Sequence, residues 1–123
     1  MPDHPPHPLS ADQAEVLLHL LRHDEPGMDA LRRQVPGAMV TRYWGEHSVS
    51  FDMEVRGGPR AALADGPHAD RDWGWTPDGE PEGTFLVWVA DGRLSALEYG
   101  WVTEDMPTRL PEVSRIRPPR PGE

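Results

Sequence analysis

At 123 residues the chain is the size of one domain, and a chain of that size buries roughly two thirds of its unfolded surface, enough for a modest core. A net charge of −9 disfavours nucleic acid as a partner, and the absence of cysteine removes disulfides, thiolate nucleophiles and cysteine-ligated metals. No apolar run approaches the roughly twenty residues of a membrane span, while 15 prolines and 12 glycines limit how much of the chain is regular.

The charge is uneven. Residues 1–56 carry nine acids against five arginines, residues 57–92 seven against two, and residues 93–123 five against five. All 12 basic residues are arginine, which reads as codon bias and not as a phosphate site. An acidic surface keeps a protein dispersed and steers a basic partner toward it. The N-terminus lacks a basic stretch followed by an apolar core, so no signal peptide is expected and a cytoplasmic location is.

Residues 1–8 and 118–123, both proline-rich, read as disordered tails around a single domain at 9–117. Ser10 followed by Gln13 is a capping box, so a helix begins at about Ala11. Ala14, Leu17, Leu18 and Leu21 form its buried stripe, and it runs to about His23. After "DEPG", Met28, Leu31 and Val35 mark a second, short helix that ends at "PG", 36–37. "AMVTRYW", 38–44, has strand composition, and "GEH" is a turn. "SVSFDMEV", 48–55, alternates, with Val49, Phe51, Met53 and Val55 inward and Ser48, Ser50, Asp52 and Glu54 outward.

Residues 57–83 hold ten Gly or Pro and six acids in 27 positions, which reads as a long acidic loop. Trp73 and Trp75 argue that it is partly ordered. "GTFLVWVADGRLSALEYGW", 83–101, is a hairpin turning at Asp91-Gly92. With a two-residue turn, Phe85, Val87, Val89, Leu94 and Ala96 share one face, with Glu98 opposite Phe85. Leu86, Trp88, Leu97, Tyr99 and Trp101 share the other. A bulge would exchange those partners. The tail beyond Trp101, broken by three prolines, is pinned by Leu110, Val113 and Ile116.

The expected fold is therefore α+β: two N-terminal helices packed on a four-stranded, mainly antiparallel sheet, with a long acidic Gly/Pro-rich loop. Helices cover one face only, while the second hairpin is apolar on both. Large aromatics left in water forgo several kcal/mol at about 25 cal/mol per Å². Three covers suggest themselves: the 57–83 loop, the proline-rich tail, or a partner.

Candidate chemistry is sparse. Glu98 on an apolar face would have a raised pKa, or else be a strand-end carboxylate reaching water or an arginine. Glu15, His19 and His23 share a helix face at zinc-compatible spacing, and equally describe a solvated helix edge. Asp65, His68, Asp70 and Asp72 suit a hard cation but lack a closing glutamate. His4 and His7 lie in the mobile N-terminal stretch. Glu46, His47 and Ser48 are neighbours in a turn, which is no triad. Nucleotide-loop, nucleophile-elbow and zinc-protease motifs are missing. No metal, no cofactor and no enzymatic activity are expected.

The order "LRRQVPGAMVTRYWGEHSVSFDMEV", "GTFLVWVADGRLSALEYGW" and "EDMPTRLPEVSRIR" resembles a family of small uncharacterised proteins common in GC-rich, actinobacterial-type genomes. The resemblance covers about 28–56 and 83–117 and implies a shared fold without catalytic residues. Where that family often carries cysteine in the turn read here as "WGEH", this chain has none.

The functional expectation is a small acidic protein-binding module, in its most specific form an immunity-type inhibitor of a basic toxin. Trp73, Trp75, Trp88, Tyr99 and Trp101 would anchor the partner beside Glu98. Two alternatives stand: a small-molecule site with an aromatic pocket between sheet and loop, Glu98 or His47 at its rim, and a homodimer through the same face.

Overall fold

A computed structural model describes residues 4–123, so residues 1–3 of the expected N-terminal tail lie outside the described residues. The first helix, α1, spans Ala11–Leu20 and starts where the capping box places it. Ser10 Oγ accepts the Gln13 N–H at 3.1 Å, and Gln13 Oε1 accepts the Ser10 N–H at 2.9 Å. Val16, Leu17, Leu20 and Leu21 are buried, whereas Leu18, expected in the stripe, is 41% exposed. The second helix, α2, spans Met28–Gln34 and runs into a 3₁₀ turn at Val35–Gly37.

Among the described residues the sheet has eight strands, not four. The expected hairpins form its centre: β2 (Ala38–Tyr43) with β3 (Phe51–Val55), and β6 (Pro81–Ala90) with β7 (Arg93–Trp101). Four short strands come from segments that read as loop or tail: β1 (His7–Pro8), β4 (Gly66–His68), β5 (Trp73–Trp75) and β8 (Ile116–Arg117). The order is β1-β2-β3-β7-β6-β5-β8, with β4 also on β6, and every pair is antiparallel. Two or three residues are too few to show a period, and Pro and Gly mask them further. Both helices pack on one face. Leu63, Leu110 and Val113 from the irregular segments join the same core as the helices.

The β6–β7 turn is the expected one. Asp91 and Gly92 have φ of 52° and 72°, the left-handed pair of a two-residue hairpin turn. Ala90 pairs with Arg93 and Val89 with Leu94, but the next pair is Trp88 with Ala96. Ser95 is thus the extra residue of a bulge, and beyond it the strand's faces exchange. Leu97 and Tyr99 turn into the core, opposite Val87 and Phe85; Ala96 and Glu98 turn outward, opposite Trp88 and Leu86. The expected face assignment of all four is therefore reversed. A side chain of α2 meets β7 just before the bulge. Gln34, 1% exposed, accepts the Leu94 N–H on Oε1 at 2.8 Å. Its Nε2 donates to the carbonyls of Pro59 and Gly92 at 2.8 and 2.9 Å.

Tyr99 is 1% exposed, and its ring stacks on Phe85 with centroids 4.3 Å apart. Its N–H reaches Ser50 Oγ at 2.9 Å, so Ser50, expected to point outward, is buried. The ring runs across Gly74 and Gly83. A Cβ on Gly74 would sit 2.1 Å from the Tyr99 hydroxyl oxygen, which is why a glycine separates the two tryptophans of "WGW".

The Tyr99 hydroxyl donates to Glu82 Oε1 at 2.7 Å. Burial first, then that carboxylate, push its ionisation well above the usual phenol range. The unfolded phenol titrates near pH 10, so the stabilisation from keeping Tyr99 neutral is complete below about pH 10 and drains away above it. In a Tyr43→Phe variant Tyr99 is the sole remaining tyrosine of the two. Tyrosinate absorbance is expected to rise only together with loss of the native fold. A native-state rise with a midpoint near pH 10 would contradict the burial.

Candidate functional site

With helices and apolar loop residues on one side, the other face of the sheet is uncovered. Cross-strand pairs define it. Trp88 lies between Pro67 on β4 and Ala96 on β7, Ala96 pairs onward with Asp52, and Asp52 with Arg42. One row away Leu86 pairs with Glu98, and Trp73 with Thr84. Trp73, Thr84, Leu86, Trp88, Glu98 and Asp52 are half-buried; their neighbours in sequence on the other face are buried. This alternation marks a sheet wet on one side.

The tryptophans of this face are held in place. Trp88 Nε1–H donates to Glu98 Oε1 at 2.9 Å, and Trp44 Nε1–H donates to Asp52 Oδ1 at 2.9 Å. Arg42 binds the other oxygen of Asp52 at 3.0 and 3.1 Å. Trp73 stacks on Trp75, with centroids 5.7 Å apart. Trp75 is 3% exposed and donates its indole N–H to the Arg117 carbonyl; the Arg117 guanidinium lies 4.2 Å from its ring centroid.

Of the six expected anchors, the structure therefore brings Trp73, Trp88 and Glu98 onto one accessible face, with Trp75 buried beneath Arg117. Tyr99 points into the core on the opposite side. Trp101 closes β7 at 45% exposure, next to exposed Val102. Trp44, 43% exposed, was missed. Its spacing of two from Arg42 and its place after a β-branched run were the available signal.

The metal candidates are split between unrelated structural roles. His19 Nε2 is 2.8 Å from the Ile116 carbonyl, and Glu15 lines a cleft. Asp65 accepts the Asp91 N–H, and His68 Nε2 is 2.7 Å from the Ala64 carbonyl. His23 and Asp72, one from each group, meet. Asp72 is wholly buried, takes both guanidinium nitrogens of Arg22 at 2.9 and 3.0 Å, and lies 3.0 Å from His23 Nε2. Asp70 stays exposed. Among the described residues no three His, Cys, Asp or Glu are placed to hold a metal.

The turn residues Glu46 and His47 lie 3.5 Å apart in solvent, with His47 at a left-handed φ of 61°. His7 is paired within β1 and lies 3.0 Å from the Tyr43 hydroxyl, which also accepts from Gln13.

A cleft of about 890 Å³ lies away from the tryptophan face, between the start of α1, the 45–49 turn and residues 107–115. Tyr43 is the aromatic in its wall, and Glu82, Glu112, Arg109 and Arg115 bring charge of both signs. The 57–83 segment contributes β4, β5 and the first residues of β6 to the sheet itself.

The fold and this face define an α+β protein with a sheet clad on one side. No helix among the described residues is long and apolar enough to cross a membrane. Neither the family models, nor the curated proteins, nor the solved structures compared with this chain gave a match.

Proposed function

We propose that this chain is a small, acidic, cytoplasmic protein-binding module that docks through the uncovered face of its sheet. One observation carries the reading: Trp44, Trp73 and Trp88 share that face, each held by a fixed neighbour. Tryptophans already locked in one rotamer lose little entropy on binding, and tryptophan is enriched at binding hot spots. The sheet path of seven strands has six gaps of about 4.8 Å, a face roughly 30 Å wide. That suffices for the ~800 Å² per partner of a standard interface. Seven acids against two arginines in residues 57–92, which include β4, β5 and β6, favour a basic partner and fast encounter. The most specific form is an immunity-type protein that covers the active site of a basic toxin.

A photo-crosslinking side chain at Leu86, on the face, tests this against one at Leu18, exposed on α1. In cells of the source organism the first is expected to give a discrete adduct with another protein and the second none. An adduct of twice the chain's own mass would establish a homodimer instead, and no adduct from Leu86 would remove the face from consideration.

A small-molecule site is favoured by a different feature, the 890 Å³ cleft, whose size suits a ligand and whose mixed charges suit a polar one. Its chemistry is that of Glu82, Arg109 and Arg115, not of an aromatic pocket.

A further inference from the structure

We infer that Trp88 and Glu98 form a receptor for an arginine side chain of the docking partner, an inference that rests on the protein-binding reading of the sheet face. The chain contains two comparable arrangements that carry an arginine of their own. On the same face, Trp44 donates its indole N–H to one oxygen of Asp52 and Arg42 binds the other at 3.0 Å. At the sheet's end, Arg117 lies over the Trp75 ring at 4.2 Å while both its terminal nitrogens bind Glu123 at 2.8 and 2.9 Å. In each, an indole and a carboxylate accompany one guanidinium.

The Trp88–Glu98 pair repeats the first two components without the third. Glu98 Oε1 takes the Trp88 N–H at 2.9 Å, whereas Oε2 has no hydrogen-bond partner, and Glu98 no ion pair, among the described residues. The other outward carboxylates of the central strands are satisfied from within the chain, Asp52 by Arg42 and Glu54 by Arg56. Both Trp88 and Glu98 are half-buried, so a cation placed between them would be partly desolvated, where cation–π and charge-assisted contacts strengthen. A guanidinium fits better than an ammonium, because its plane stacks on indole while its fork reaches a carboxylate. The excess of acids in residues 57–92 adds long-range attraction for such a partner.

The test follows the Trp88 indole N–H by NMR at low ionic strength while a blocked tri-arginine peptide is added. A saturable shift is expected, with affinity falling roughly three- to thirtyfold in Glu98→Gln. Glutamine retains an oxygen for the Trp88 N–H, so this variant keeps the local fold; an unchanged thermal midpoint checks it. A blocked tri-lysine peptide is expected to bind more weakly, and equal binding would overturn the assignment to arginine. An unmoved Trp88 resonance, or equal affinity in Glu98→Gln, would overturn the receptor. If crosslinking from Leu86 still captured a partner, only the receptor would fall; without that adduct, the docking face would fall with it.

Discussion

Replacing Asp72 with alanine is expected to cost about 3 kcal/mol of stability, the lower end of what breaking a buried charge pair costs. Asp72 is wholly buried, and its two oxygens receive three side-chain hydrogen bonds, two from Arg22 and one at His23. Arg22, its side chain 36% exposed, can turn to water once its partner is gone, whereas His23 at 16% is more confined. That asymmetry places the loss at the lower end. The consequence is local as well as global, because Asp72 immediately precedes β5 and its carbonyl accepts the Phe85 N–H on β6. Losing the tie to Arg22 and His23, just beyond α1, frees the edge that presents Trp73. Urea denaturation gives the total, and hydrogen exchange at Trp73–Trp75 the local part. A loss below about 1 kcal/mol, with unchanged exchange, would show the buried pair to be dispensable.

A Gln34→Leu substitution is expected to cost about 2–4 kcal/mol. Leucine fills a similar volume but abandons three backbone groups, the N–H of Leu94 and the carbonyls of Pro59 and Gly92. Each buried polar group left alone costs about 1–3 kcal/mol. Gly92 retains a second donor in the Ala61 N–H, and Pro59 is exposed, so its carbonyl can turn to water; both moderate the sum. Of the three, Leu94 matters most, because its N–H adjoins the bulge at Ser95. Without Gln34 the strand loses a buried contact next to the bulge that turns Tyr99 inward and Glu98 outward. The Trp88 indole resonance is therefore expected to broaden or move in this variant even where the protein remains folded. A sharp, unmoved Trp88 signal would show that the bulge is set by the hairpin alone.

The parts of the fold legible in the residues were those with local causes. The capping box at Ser10 and Gln13 needs only neighbours three apart, and it forms. Asp91-Gly92 tolerates the left-handed backbone of a two-residue turn, and adopts it. Phe51, Met53 and Val55 alternate and face the core. The site was legible in part. Trp73, Trp88 and Glu98 reach the face proposed for docking, but Glu98 does so for a reason the expected register denied it. Tyr99 belongs to the core, where the gaps left by Gly74 and Gly83 receive its ring. Those two glycines read as loop punctuation because the ring they accommodate is distant in sequence from Gly74.

By itself the sequence determined the class of protein: a cysteine-free, acidic α+β chain with two helices, two hairpins, and more apolar strand surface than the helices can cover. Tertiary structure alone decided which side chains that surplus consists of. Four strands of two or three residues form only because longer neighbours offer them hydrogen-bonding edges. The bulge at Ser95 adjoins a leucine whose N–H is bound by a glutamine sixty positions earlier. Strand faces alternate with every residue, so one extra residue in β7 redirects all side chains beyond it, and no local pattern encodes a contact between segments as far apart as Gln34 and Leu94.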